Sequence, residues 1–281
     1  MKVGINAFLW TAAFGEKHLD LIPKMKAGGF DGIELVAFDF AAFPAAKVRQ
    51  TLEANQFEAT FCTALTGQQS LGTADASVRG ATMEFLKTAI KACAESGAKT
   101  IAGPFCSAVG YLPGRRRTAD EWRRAIDGLR ELGPVAEAAG VDVAVEPLNR
   151  FETFFLNTAA DAAALCDAVN HPRIGVLYDT FHANIEEKNQ GNAIRSVARH
   201  LKHIHSCEND RGTPGSGPID WKDVIGALKD VGYDGWLTIE SFGPSIPEIA
   251  TAACIWRDLA ASPEALAFDG LKFLKSAWAA T

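Results

Sequence analysis

Four short apolar runs in the second half of the chain carry, at or near their ends, a side chain able to hold a cation or move a proton. Val141–Glu146 ends on Glu146 and Ile174–Asp179 ends on Asp179, while Lys202–Ser206 carries His205 and Trp236–Ser241 carries Glu240. Side chains alternate along a strand. Ala144 and Glu146 therefore share one face while the valines take the other, and Leu177 with Asp179, His203 with His205, and Thr238 with Glu240 pair in the same way. The four end residues are 33, 26 and 35 positions apart, about one strand-plus-helix unit each. Three carboxylates and an imidazole on one spot repel one another and are costly to bury. A divalent cation resolves both problems. Three hard oxygens and one nitrogen suit Mn²⁺, Mg²⁺ or Co²⁺, with Zn²⁺ a further alternative. Taken singly, each acid reads equally well as a helix N-cap or a salt-bridge partner. All four at one barrel level would need four independent accidents. His203 lies one layer deeper and reads as structural, or as a support for a ligand.

The elements that must position these residues recur along the whole chain. Eight β-rich runs stand out: Val3–Phe8, Gly32–Val36, Glu58–Ala64, Thr100–Phe105, Val141–Glu146, Ile174–Asp179, Lys202–Ser206 and Trp236–Ser241. Helical spacing fills the intervals, most clearly in Asp75–Ser96 and Ala119–Ala139. In the latter, Trp122, Ile126, Leu129, Leu132 and Val135 recur every three or four residues. Glycine and aspartate mark the returns into strands at 27–32, 139–141 and 231–235. Eight units of roughly 31 residues match a (β/α)8 TIM barrel. A doubly wound sheet would carry a glycine-rich phosphate turn after an early strand. Here the first strand runs into Asn6, Ala7 and Phe8 with no such motif. The expected architecture is α/β, a single-domain TIM barrel over residues 1–281, with irregular stretches at Thr66–Ala74 and Cys106–Thr118.

Composition narrows the function classes. The chain has 281 residues, with 28 Lys plus Arg against 34 Asp plus Glu and a net charge of −6. Nucleic-acid binding needs clustered cations, so no nucleic-acid partner is expected. No apolar run reaches the length of a membrane helix. The start lacks the features of a secretory signal. The six cysteines are scattered and form no C-x-x-C pair, as in a reduced protein. A cytoplasmic location without a membrane partner is the expectation.

Several of these stretches together resemble the ketose 3-epimerases, a family that includes D-tagatose, D-allulose and L-ribulose 3-epimerases within the xylose isomerase-like superfamily. The resemblance is carried by Glu146 to Glu152 (E-P-L-N-R-F-E), Asp179 to Glu187 (D-T-F-H-A-N-I-E-E), His203 to His205, and Gly232 to Gly235. It covers most of the chain and implies a barrel in which Glu146, Asp179, His205 and Glu240 bind a divalent metal ion, Mn²⁺ first, with Mg²⁺ or Co²⁺ as alternatives. It further implies that Glu146 and Glu240 form an acid/base pair and that Glu152, His182 and Arg211 hold the O1–O3 end of a ketose substrate. A homodimer or homotetramer is also implied. Asn6 departs from the family pattern, which has an aromatic residue there, and the loop Pro104–Tyr111 lacks an expected tryptophan.

Read on residue type alone, His182 is either a solvated loop histidine or a substrate contact. Arg211 is either a surface arginine or a donor to sugar oxygens. Glu152 is a helix-start acid or a hydroxyl partner. Trp10 either walls a pocket or belongs to the core. Glu34 sits on an apolar strand, where it lines the barrel or bonds a polar neighbour. Cys62 and Thr63 fall where relatives place sugar contacts. Arg115–Arg117 is the one basic run, a solvated or subunit-contact loop or else an anion site. The turn-rich stretch Glu208–Gly217 reads as a loop over the site.

The sequence therefore predicts metal-dependent epimerisation of free ketoses at C3 through a planar cis-enediolate. The alternative is an aldose–ketose or hydroxypyruvate-type isomerase on the same metal barrel, moving a proton between C1 and C2. A DNA-repair nuclease of the same superfold would need more metal histidines than the six in this chain, and a basic groove. A silent sugar-binding barrel would not need two opposed carboxylates.

Overall fold

Each β-rich run becomes a strand that pairs in parallel with the next. The computed structural model describes residues 1–281. The strands are β1 Lys2–Asn6, β2 Gly32–Val36, β3 Glu58–Cys62, β4 Thr100–Gly103, β5 Asp142–Val145, β6 Ile174–Asp179, β7 Leu201–His205 and β8 Trp236–Ile239. They run in sequence order around a closed barrel. Closure is made by β8 on β1, with Lys2 opposite Trp236 and Ile5 opposite Ile239.

The helices are α1 Leu21–Ala27, α2 Ala45–Ala54, α3 Ala76–Glu95, α4 Ala119–Ala139, α5 Ala159–Val169, α6 Thr180–Glu186, α7 Gln190–Ser196, α8 Trp221–Asp230, α9 Pro247–Ala252 and α10 Pro263–Ala280. Local chemistry sets their ends. In α4 the Thr118 hydroxyl accepts from the Glu121 N–H, and the Glu121 carboxylate accepts from the Thr118 N–H. Gly140 stops that helix at φ 67°, a left-handed conformation that costs glycine least. Ala125, Ile126, Leu129, Leu132 and Ala136 form its buried stripe. No helix is long and apolar enough to cross a membrane.

Several strands are shorter than the sequence pattern implies, for identifiable reasons. The first stops at Asn6 because its side chain accepts from the Phe8 N–H, 2.8 Å away, turning the chain into the 3₁₀ turn Ala7–Leu9. Likewise β5 and β8 end at Val145 and Ile239, so Glu146 and Glu240 stand just beyond the ladder.

The main apolar core unites the outward faces of the strands with the helices. Inside the barrel, Ala102, Ala144 and Leu177 form a separate small cluster. Around it the buried side chains include Asn6, Glu34, Thr60, His203, His205 and Thr238, none more than 2% exposed. Barrels of this kind are commonly filled with branched aliphatic residues. A polar interior is costly unless each group is paired, so these residues must satisfy one another or a ligand.

Gly103 ends β4 at φ 148°, and a Cβ there would be driven into the Thr63 carbonyl oxygen. Its own carbonyl accepts from the Glu146 N–H, 2.9 Å away, so the strain would reach an active-site candidate. Gly103→Ala is expected to destabilise the fold by about 2–4 kcal/mol in urea unfolding. A loss below about 0.5 kcal/mol, the level of a neutral surface change, would contradict this reading.

Candidate active site and metal centre

Ligand atoms of Glu146, Asp179, His205 and Glu240 all lie within 4.8 Å of one another, and all four residues are buried. They arrive from the ends of β5, β6, β7 and β8. Asp179 serves two purposes. Its Oδ1 caps α6 by accepting from the Phe181 N–H at 2.7 Å, which leaves Oδ2 facing the cluster. The N-cap and ligand readings of this residue are therefore compatible. His205 places Nδ1 3.2 Å from Glu240 Oε2 and 4.0 Å from Glu146 Oε1.

Arg211 reaches the same spot from the loop after β7. One guanidinium nitrogen lies 2.7 Å from Asp179 Oδ2 and 2.8 Å from Glu240 Oε2. The guanidinium stacks on Phe181 and Phe242, 4.0 and 4.8 Å from their ring centres. Its backbone has φ 67°, a conformation disfavoured for a residue with a Cβ. Such strain persists where surrounding contacts hold it.

His182, on the first turn of α6, has Nδ1 accepting from the Asn149 N–H at 3.1 Å. Its Nε2 lies 3.0 Å from an Arg211 guanidinium nitrogen and 3.5 Å from Glu146 Oε1. Asn149 also donates to Glu152 Oε1 at 2.8 Å. Glu152, His182 and Arg211 thus line one cavity with Glu146 and Glu240. The cavity measures about 190 Å³. Cys62 and Thr63 line it too, and its remaining wall is largely apolar, with Phe8, Phe38, Phe242 and Ile249 among its residues. Ile249 and Ala252 come from α9.

Burial and neighbouring charge divide the titratable groups. Burial, reinforced by Glu240, pushes the Glu146 carboxyl well above the ordinary carboxylate range. Burial also raises Asp179, against the pull of Arg211. It pushes Glu240 upward as well, yet His205 and Arg211 outweigh it and leave Glu240 below its ordinary value. For His205 burial opposes the charged form, but Glu240 and Glu34 together raise it well above an ordinary histidine. His182 is held well below by burial and by Arg211, so its ring stays neutral.

These residues fit a divalent cation. Glu146 Oε1 and His205 Nδ1 are buried without a hydrogen-bond partner in the protein, and both face the other ligands. Unpartnered buried atoms of this kind are costly, and one ion among them satisfies both. A second trio, Glu34, Cys62 and His205, is also close-set, but it does not suit a metal. Hydrogen-bond donors and imidazole nitrogens already surround both Glu34 oxygens, and burial keeps Cys62 a neutral thiol.

Other residues fall outside the site. Trp10 does not line the cavity; it packs on the core and donates to Glu264 at 3.1 Å. Within the arginine run, Arg115 pairs with Glu121 through two hydrogen bonds. Arg117 pairs with Asp161 and stacks on Trp122. Only Arg116 makes no side-chain ion pair, so the run mainly ties the loop before α4 to the first turns of α4 and α5. Sequence reasoning did not single out Asn149, although it lies inside the E-P-L-N-R-F-E stretch. The apolar wall was also missed, because scattered loop phenylalanines carry no periodic signal.

The fold and family are shared with known proteins. The sequence profile of the family described as "Xylose isomerase-like TIM barrel" matches residues 22–277. A probable ketose 3-epimerase of Synechocystis sp. is 39% identical over 99% of this chain and 97% of its own. A solved L-ribulose 3-epimerase superposes with a TM-score of 0.94 at 30% identity, covering 99% of this chain and 95% of its own. A D-psicose 3-epimerase solved in the presence of D-fructose gives 0.92 at 30% identity, over 99% of both chains.

A raised Glu146 has a consequence for pH. Without a cation, the fold opposes ionisation of this carboxyl. Its contribution therefore becomes more unfavourable as pH climbs from the ordinary glutamate value, about 4.3, through its raised one. A bound cation relieves the penalty and displaces the proton. The gain in Tm from saturating Mn²⁺ is expected to be larger at about pH 8 than at about pH 5.5, measured by scanning calorimetry. Equal gains would contradict the protonation reading.

Proposed function

The chain belongs to the ketose 3-epimerases of the xylose isomerase-like TIM barrel family, and from that premise we propose that it interconverts free ketoses with their C3 epimers. The observation that carries this reading is the convergence of Glu146 and Glu240 on one small cavity beside a four-residue cation site. Epimerisation at C3 removes a proton from one face of that carbon and returns one to the other. The intermediate between is a planar cis-enediolate. Two carboxylates entering from strands three apart in the barrel suit this two-faced transfer.

Glu146, Asp179, His205 and Glu240 would hold the cation, Mn²⁺ first, with Mg²⁺ or Co²⁺ as alternatives. When bound, it supplies Lewis acidity to the C2 carbonyl and balances charge on the sugar oxygens. The chain's own groups do the rest. Which of Glu146 and Glu240 takes the C3 proton follows the configuration of the substrate, and the other returns one to the opposite face. Arg211 donates to substrate oxygens, and the neutral His182 meets another through Nε2. Glu152 accepts from a hydroxyl. The apolar wall limits water around the intermediate. D-fructose is a first candidate substrate, supported by the D-psicose 3-epimerase solved in its presence.

The proposal extends to assembly and location. Tyr111, Leu112, Phe151 and Trp256 are large apolar side chains left exposed, and a homodimer or homotetramer would cover side chains of this kind. A light-scattering mass equal to one chain, 30.1 kDa, would remove that part. The six unpaired cysteines suit the cytoplasm, which fractionation of the native host would test.

Incubation of the Mn²⁺-loaded protein with D-fructose, D-tagatose or L-ribulose in D2O, followed by removal of the ion and NMR, tests the reaction. Deuterium at C3 together with the C3 epimer is expected. Label at C1 with an aldose product would instead identify an aldose–ketose isomerase. Glu146→Gln and Glu240→Gln are each expected to lower exchange at C3 by about 10²–10⁴-fold. Near-wild-type turnover in either variant would refute the two-base assignment.

A further inference from the structure

Below the cluster lies a buried carboxylate that the proposed reaction does not use. Glu34 projects from β2 into the barrel interior and is fully buried. Its Oε2 accepts from Asn6 Nδ2 at 2.8 Å and lies 2.8 Å from His205 Nε2. Its Oε1 accepts from Thr60 Oγ1 at 2.9 Å and lies 2.8 Å from His203 Nε2. Both oxygens are thus surrounded, by hydrogen bonds to Asn6, Thr60 and the His205 ring and by close contact with His203.

We infer that Glu34 is the positioning residue of the metal centre: it fixes the His205 ring so that Nδ1 faces Glu146, Asp179 and Glu240. A carboxylate has no proton to give, so His205 Nε2 must carry the hydrogen in this contact. With a cation in place, Nδ1 would then turn its lone pair toward the cluster, where it is buried and has no hydrogen-bond partner in the protein. Asn6 and Thr60 in turn prevent the carboxylate from rotating away. A carboxylate behind a metal-bound histidine raises its basicity and locks its orientation. The chain supplies this support from a different strand, 171 positions away, so β2 enters the site without touching substrate. The inference rests on the cation site of the proposed function, but not on which sugar is turned over.

The test is Mn²⁺ affinity, measured by electron paramagnetic resonance on wild type, Glu34→Gln and Thr60→Val, together with the visible spectrum of the Co²⁺ forms. Glutamine has the same shape but presents an amide N–H to at least one neighbour that already donates. Glu34→Gln is expected to weaken Mn²⁺ by about 10–100-fold and to alter the Co²⁺ spectrum. Thr60→Val, which only frees the carboxylate on one side, should weaken Mn²⁺ by a smaller factor. A purely structural role would lower Tm while leaving the Mn²⁺ affinity of the folded protein and the Co²⁺ spectrum unchanged, and that result would overturn the inference. If Glu34→Gln does not fold, Thr60→Val decides: wild-type affinity overturns the inference and weaker binding supports it. A wild-type chain that binds no divalent cation would overturn it as well. Tight Mn²⁺ binding without ketose turnover would refute only the epimerase reading.

Discussion

Three carboxylates held together in a water-poor pocket repel one another, and most of the catalytic end of this barrel is arranged around that repulsion. Coulomb repulsion between charges a few ångströms apart reaches several kcal/mol even at an effective dielectric near 20. The protein opposes it with cations on two sides. Arg211 sits between Asp179 and Glu240, and His205 lies against Glu240. Glu146 receives the least compensation, and its carboxyl is pushed furthest toward the neutral form. A divalent ion would complete a balance that the side chains leave unfinished.

The cost of this arrangement appears elsewhere in the fold. Arg211 accepts a left-handed backbone to bring its guanidinium inward, held there by two carboxylates and two aromatic faces. Asp179 divides its oxygens between a helix N-terminus and the cluster. The barrel interior gives up aliphatic filling for a polar network from Asn6 to His205. Each of these departures from ordinary packing serves the orientation of one group at the mouth, which is the usual place for local rules to be broken.

Much of this was legible in the sequence because it rests on period and spacing. Strand alternation put Glu146, Asp179, His205 and Glu240 on inward faces, and the recurrence of strand-plus-helix units implied a closed barrel. Stretches such as D-T-F-H carried more specific information than periodicity could. What the sequence hid depends on contacts across the barrel. Nothing local to Gly-Ile-Glu-Leu-Val says that Glu34 touches two histidines from β7. Asn6 looked like a departure from the pattern, yet it ends β1 and braces Glu34. The arginine run lies at the surface, as its composition suggested, but nothing local says that Arg115 and Arg117 are tied down by Glu121 and Asp161. Strand ends were overrun for two reasons: Asn6 caps the turn that follows it through Phe8, two residues on, whereas the ends at Gly103 and Glu146 are tied to each other across a long stretch of sequence.

The chemistry is concentrated at one end of the cavity, where charged and hydrogen-bonding groups crowd, while phenylalanines and α9 form much of the remaining wall. The chemistry of this site depends on whether the four strand-end residues share a single ion. Anomalous diffraction at the manganese edge, from crystals grown with Mn²⁺, tests this directly. One peak bounded by Glu146, Asp179, His205 and Glu240 is the predicted result. No peak there, or a peak on Glu34 and Cys62, would contradict it.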